Sequence, residues 1–362
     1  MDAELQALLT LHLVPGLGPR LTAALLKRFG SAQAAVRAGQ QELRQVPHIG
    51  DKLAHDLHQA MKDANVSAEL DLIARHQVHL MTLGTAEYPK ALATIFDPPH
   101  LLYVKGSLIP KDAQAVAIVG SRQCTSYGRR IAERLATGLG RKGYTVISGL
   151  ARGIDAAAHR GALKAGGRTL AVLAGGLCKI YPPEHAELAQ EIQAAGSLVS
   201  EASMEMEPLA HLFPPRNRLI SGLSRGVVIV EAAERSGALI TARQAAEQGR
   251  AVFAVPGPVD SPASAGTNAL IRQGAVLVCG VEDIIEELEG VAAPAKEALP
   301  QAPSGLDDIQ QQLWDLLKLQ PQHVDDLARQ ANRPIHVVTG ALMMLEMKKA
   351  VRRLPGNLYE RV

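Results

Sequence analysis

Ten Lys and Arg residues lie between Gly120 and Leu170 (Arg122, Arg129, Arg130, Arg134, Arg141, Lys142, Arg152, Arg160, Lys164 and Arg168), against two acids, Glu133 and Asp155. That local excess of eight positive charges stands in a chain of formal net charge +2, so basic charge is concentrated, as a site for a polyanion requires. Three loops carry residue types suited to phosphate: Gly120-Ser121-Arg122, then Ser148-Gly149-Leu150-Ala151-Arg152-Gly153, then Gly175-Gly176 with Tyr181-Pro182. Glycine admits close approach of backbone N–H groups, and a helix starting just after such a turn adds its positive end. A second constellation is HLFPPRNRLISGLSRG, His211 to Gly226, where Phe213 precedes Arg216, Asn217 and Arg218 by two prolines. An aromatic face beside guanidiniums suits a single nucleic-acid strand, with the ring stacking a base and the arginines reaching phosphates. Alone, Phe213 reads equally as a core plug; the adjacent arginines favour stacking. Ser236 and Gly237, downstream of the run VVIVEA, complete the candidate binding residues.

Chemistry that breaks bonds is poorly served. Asp155 and His159 stand four apart on one helix, with Ser148 nearby, but Asp155 suits a helix N-terminus and His159 a surface or packing position. Glu231 is the better buried carboxylate, either functional or a partner for Arg216 or Arg218. Gly138, Gly140 and Gly143 spell GxGxxG, yet they close a helix and precede a strand, whereas a dinucleotide fingerprint follows a strand and opens a helix. No Walker A sequence occurs. Cys124, Cys178 and Cys279 are far apart, with no Cys/His cluster, so neither a disulfide framework nor a structural zinc is expected, and a reducing cytoplasm fits. The expected chain is a non-enzymatic binder without cofactor or metal. From the acidic start MDAELQ and the lack of eighteen consecutive apolar residues, neither a signal peptide nor a membrane span is expected.

The elements that must position these residues are legible as short apolar runs. AVAIVG, YTVISG, TLAVLAGG, SLVSE, VVIVEA, AVFAVPG and AVLVCG alternate with helical stretches. Continuous rather than alternating apolar runs mean strands covered on both faces, hence a mostly parallel, doubly wound α/β sheet of enlarged Rossmann type. Upstream, Val78 to Leu83 reads as a strand and PPxLLYVKG as a segment broken by Pro98 and Pro99. All three candidate loops then fall at carboxyl ends of parallel strands, where open α/β sheets bind ligands.

The 362 residues suggest two or three domains. Val14 to Gly30 (VPGLGPRLTAALLKRFG) and Val46 to Ala60 (VPHIGDKLAHDLHQA) repeat one pattern, an apolar residue, Pro, a tight turn ending in Gly, then a helix. They resemble paired helix-hairpin-helix motifs, which contact phosphates through backbone N–H groups or form a small packing domain. Six basic and five acidic residues in the first sixty, and His48 in place of a glycine, weigh against the first reading. Glu282 to Asp308 carries eight acids against Lys296 alone, and AAPAKEALPQAPSG has linker composition. The expected organisation is therefore a helical domain at 1–66, the sheet domain at 67–290, a linker at 291–304 and a winged-helix-like domain at 305–362. The third helix of that tail, TGALMMLEM, is apolar, which favours protein contact or packing over base reading.

Six segments together resemble the DNA processing protein A (DprA/Smf) family: GSR at 120–122, SGLARGIDAAAH at 148–159, GGLCKIYPPEH at 175–185, FPPRNRLISGLS at 213–224, VVIVEAAERSGALITARQAAEQGRAVFAVPG at 227–257 and GTNALIRQGA at 266–275. The resemblance implies a cytoplasmic protein that binds single-stranded DNA with little sequence preference. It also implies a homodimer that loads RecA recombinase during natural transformation and works beside single-strand-binding protein. Arg122 would grip phosphate and Phe213 would stack a base, while Asn268, Leu270, Ile271 and Val276 mark the expected dimer surface. Leu177, His185 and Ser203-Met204 depart from the family pattern, all around the third loop. A rival on a similar fold is a nucleotide-processing phosphoribohydrolase, whose PGGxGTxxE signature is missing from VEAAERSGALITA.

Overall fold

The computed structural model describes residues 2–290, 306–317, 322–348, 350–354 and 356–361. It divides into two compact units, Met1–Gly290 and Val291–Val362. The linker expected at 291–304 lies outside the described residues.

Nine strands form the central sheet of the first unit: β1 (Val78–Thr82), β2 (Leu101–Gly106), β3 (Ala115–Val119), β4 (Thr145–Ser148), β5 (Thr169–Leu173), β6 (Ser197–Ser200), β7 (Gly226–Ile229), β8 (Ala251–Ala254) and β9 (Val276–Leu277). Their spatial order is β1-β2-β6-β5-β4-β3-β7-β8-β9. From β6 to β9 every pairing is parallel; β2 runs antiparallel to both β1 and β6. The expected class therefore holds, and the segment after Pro99 proves to be a full strand. Its apolar run has the same cause as in the parallel strands: Leu101 and Tyr103 enter one core layer while Leu102 and Val104 enter the opposite one. Alternation in β3 works likewise, with Val116 and Ile118 on one face and Ala115, Ala117 and Val119 on the other.

The boundary expected at residue 66 falls inside the first unit, because the N-terminal helices share a core with the sheet. Leu8, Leu9 and Leu11 belong to the same buried cluster as Tyr103, Leu173 and Leu198. The two sequence repeats take one geometry: Gly16 (φ 80°) and His48 (φ 70°) occupy the left-handed region, and Leu17 and Ile49 donate to the carbonyls of Val14 and Val46 at 3.2 and 3.1 Å. Helices Pro19–Phe29 and Asp51–Asp63 follow. The GxGxxG glycines do serve packing: Gly138 faces Val281, Gly140 faces Ala165, and Gly143 (φ +85°) follows the helix Ser126–Arg141.

Chain direction redistributes the basic cluster. Arg122 and Arg152 follow β3 and β4 at the carboxyl edge of the sheet, whereas Arg141 and Lys142 precede β4, and Lys164 and Arg168 precede β5, at the opposite edge. Several are also engaged: Arg168 with Asp112 at 2.9 Å, Lys164 with Glu133 at 2.9 Å, and Arg134 with the Cys279 carbonyl at 2.9 Å. The sequence concentration is thus two groups, of which one faces the candidate loops.

The second unit has helices Asp308–Leu316, Val324–Ala331 and Ile335–Met347, then the antiparallel ribbon Val351–Leu354 with Leu358–Arg361. Trp314, Leu327, Leu342 and Tyr359 are buried in its core, and Met343, Met344 and Met347 stay exposed on the third helix.

Candidate nucleic-acid interface

The first loop is fixed by a carboxylate from a neighbouring strand end. Glu231, just past β7, accepts from the Thr125 N–H at 2.8 Å and from its hydroxyl at 2.5 Å, and the Thr125 hydroxyl in turn accepts from Gly128 N–H, capping the helix Ser126–Arg141. The Glu231 carbonyl also takes the Ser121 N–H at 2.8 Å. Glu231 is therefore a brace for the first loop. Pairing with Arg216 or Arg218 does not occur, because its carboxylate is turned to the cap.

The second loop folds over Asp155. That buried carboxylate accepts the N–H groups of Gly149 at 3.1 Å and Ala151 at 3.3 Å. Burial pushes its pKa up, while Arg216 and the two N–H donors pull the other way. His185 donates from its ring to the Leu150 carbonyl at 2.9 Å, and the Ser148 hydroxyl donates to the Ile118 carbonyl at 2.6 Å. Gly153 (φ +76°) lies against the Ser121 and Arg122 carbonyls, where a Cβ would come within 2.3 Å, so only glycine lets the two loops meet. In this loop the Ser148 hydroxyl and the N–H groups of Gly149 and Ala151 are spent on internal partners, so their part in the structure is to hold the loop's shape. Nor do Ser148, Asp155 and His159 form a hydrolytic set, since His159 is fully buried with its ring 2.7 Å from the Thr169 hydroxyl.

Beyond β6, helix Phe213–Gly222 delivers the second constellation. Phe213 is half-buried, and the exposed Arg122 guanidinium carbon sits 4.7 Å from its ring centroid, a cation–π distance. Tyr181, from the third loop, meets Phe213 edge-on at 6.0 Å and 68°, and Arg152 lies 6.0 Å from the Tyr181 ring. Arg152 also donates to Glu184 at 2.5 Å. The expected neighbours of Phe213 behave differently. Arg216 is 6% exposed, beneath the ring at 5.7 Å, and donates to the carbonyls of Gly149, at 2.9 Å, and Val172. Its burial lowers the guanidinium pKa to about 10, with Asp155 opposing. Arg218, 7% exposed, pairs with Glu201 at 2.5 Å and Asp97 at 3.5 Å, and Asn217 accepts from Arg216. Both arginines hold the site instead of facing solvent, because this helix is covered on more than one side: Arg216 lies against Gly149 and Val172, and Arg218 against Asp97 and Glu201.

Ser236 caps the helix Gly237–Glu247 by accepting the Ala238 N–H at 3.3 Å. At the far end of the sheet, Asn268 exchanges hydrogen bonds with Gly257 at 3.0 and 3.2 Å, while Leu270, Ile271 and Val276 are half-exposed beside the two-residue edge strand β9. Tyr181 is named in sequence only as part of the third loop and not as an aromatic of the site; its place after Gly175-Gly176, beside an arginine-bearing loop, was the available signal. Among the described residues no group of acids, His and Cys could hold a metal ion, and no helix is long and apolar enough to cross a membrane.

Residues 79–289 match the family profile described as DNA recombination-mediator protein A, residues 297–357 the DprA winged helix domain, and residues 6–63 a SAM-like helix-hairpin-helix tandem. Protein Smf of Escherichia coli K12 is 40% identical, over 81% of this chain and 80% of that one. The DNA processing protein DprA of Bacillus subtilis is 44% identical over 58% of this chain and 71% of its own. The crystal structure of DNA processing protein A from Streptococcus pneumoniae superposes with a TM-score of 0.70 at 33% identity, covering 79% of this chain and 99% of that one. A Helicobacter pylori DNA processing protein A, solved to explain its single-stranded DNA binding mode, gives 0.53 at 30% identity over 60% and 97%.

Proposed function

The chain belongs to the DNA recombination-mediator protein A family, and we propose that it binds single-stranded DNA across the carboxyl edge of its sheet and hands that strand to a recombinase. The observation that carries this reading is the exposed Arg122 over the half-buried Phe213, flanked by Tyr181 and Arg152. Two adjacent aromatic rings stand between two guanidiniums, and that grouping serves a flexible strand: rings stack bases of any identity, and cations follow the backbone. A rigid duplex keeps its bases stacked on one another and offers these rings nothing. Bond cleavage has no support in the site, because the buried Ser148, Asp155, His159 and Glu231 are each committed to scaffold hydrogen bonds.

The proposed course is capture of phosphates by Arg122 and Arg152, stacking on Phe213 and Tyr181, and pairing of two copies through the β9 edge near Asn268, Leu270, Ile271 and Val276. Two such surfaces side by side would hold a strand extended so that RecA nucleates on it, in the cytoplasm, during transformation, with single-strand-binding protein as a further partner. The test is oligo-dT binding together with RecA filament nucleation, comparing the wild type with Arg122→Ala. A parallel weakening of both in the variant is expected; nucleation undiminished in a variant whose strand binding is measurably weakened would overturn the reading.

A further inference from the structure

A cavity of about 490 Å³ lies inside the first unit, between the N-terminal hairpin and the sheet. The turn from Leu13 to Pro19 forms one wall, Leu101, Leu173 and Ala174 at the strand ends another, and Ala202 and Ser203 a third. None of the DNA contacts assigned above lies in it. The helix Phe213–Gly222 separates the two places: Leu212, Pro215 and Arg216 line the cavity, while the Phe213 ring lies under Arg122.

The lining is mostly apolar with a small polar end, the composition of a small-molecule site in the roughly 300–1,000 Å³ range. Its charged members are two carboxylates, Asp97 and Glu201, and two guanidiniums, Arg216 and Arg218, so they cancel. His12 and His100 also line it, and burial lowers the pKa of each, His12 to about 4, so both are neutral. An anion would find no excess of positive charge here, which excludes a phosphate as the occupant. Beside Arg218, Asp97 and Glu201 keep 27% and 24% of their side-chain surface exposed, so their carboxylates can accept from an occupant. At the rim, Arg20 lies 4.6 Å over the ring of Phe96, which is 82% exposed; these two are sequence neighbours of the lining residues Pro19 and Asp97.

We propose that this cavity is a second binding site, for one uncharged nucleobase, with its apolar walls on the faces of the base and Asp97, Glu201 and Arg218 on its edge. The carboxylates accept N–H groups and the guanidinium donates to a carbonyl, so guanine, with adjacent N–H donors beside a carbonyl, fits best among DNA bases, and thymine, with one N–H, fits less well. The base arrives either as a free nucleoside or as one unit of a bound strand passing the Arg20–Phe96 rim. Either source leaves the Arg122–Phe213 surface free to bind oligo-dT, so failure of this site is distinguishable from failure of that one.

The experiment titrates the full chain with deoxyguanosine and thymidine by calorimetry. In parallel it compares a dT oligonucleotide with one carrying a single central dG. The wild type is expected to bind deoxyguanosine at least threefold more tightly than thymidine, or to prefer the dG oligonucleotide by at least threefold; the first result assigns a free nucleoside, the second a base of the strand. Ala202→Trp and Leu13→Trp fill the cavity from opposite walls, and whichever keeps wild-type oligo-dT affinity should abolish the preference. No preference in the wild type by either assay, or one that survives the filling, overturns the proposal.

Discussion

Two arginines of opposite employment lie against the ring of Phe213. Arg122 is exposed, 4.7 Å from the centroid, with its charge open to a ligand; Arg216 is buried, 5.7 Å away, and its donors end on the carbonyls of Gly149 and Val172. Arg122 belongs to an exposed upper layer, the surface proposed to meet DNA. The lower layer, with Asp155, His185 and Glu231, holds the loops whose shape makes that surface. A guanidinium near an aromatic ring in sequence can thus be ligand-binding or architectural, and solvent exposure separates the two.

Four measurements break or sharpen that division. The largest effect is expected for Arg216→Ala, which strips Asp155 of its buried counter-charge and leaves two carbonyls unpaired; denaturant unfolding should show a loss of about 3–5 kcal/mol. A variant of unchanged stability that loses only DNA affinity would move Arg216 to the upper layer. Acid comes next. His12 and His159 have folded-state pKa values lowered from 6.5 to about 4 and about 3, because burial disfavours the charged ring. The unfolded chain then binds protons first, so their contribution is whole above pH 6.5 and is lost as pH falls from 6.5 toward 3, by of order 3 kcal/mol for each histidine. Stability measured from pH 8 to 4 should fall accordingly, and His159→Gln should flatten the fall; an acid-insensitive wild type would contradict the buried neutral rings.

Smaller effects belong to the upper layer. Phe213→Ala should weaken oligo-dT binding by about 1–3 kcal/mol without altering the dependence on salt. Arg122→Ala should cost less at physiological salt and reduce the log–log salt slope by about 0.7, the signature of one phosphate contact on a single strand. Equal slopes in these two variants would erase the distinction between stacking and charge.

Much of the architecture was legible because each layer leaves a periodic or compositional trace. Continuous apolar runs announced strands covered on both faces, the repeated VPxxG turns announced the hairpins, and the loops at strand ends announced the site. The β2 segment was obscured by Pro98 and Pro99, though its LLYV run carries the same double-sided burial. Within the site, Arg122 and Phe213 could be picked out by residue type. What could not be read was which members of a rich loop face outward. Ser148 to Ala151 look like a phosphate cradle in sequence, yet Gly149 and Ala151 give their N–H groups to Asp155. Nothing local distinguishes an amide aimed at solvent from one aimed at a carboxylate four or six residues on.

The sequence alone determined the sheet class, the family and the identity of the aromatic and cationic groups, since these depend on residue type and short-range period. Tertiary structure alone decided the placement of charge. Helices that run back along a parallel sheet carry Arg141, Lys142, Lys164 and Arg168 to the edge opposite Arg122, and packing on more than one side of helix Phe213–Gly222 buries both Arg216 and Arg218. Electrostatic potential depends on distance through space and on burial, and both are set only when the chain has folded.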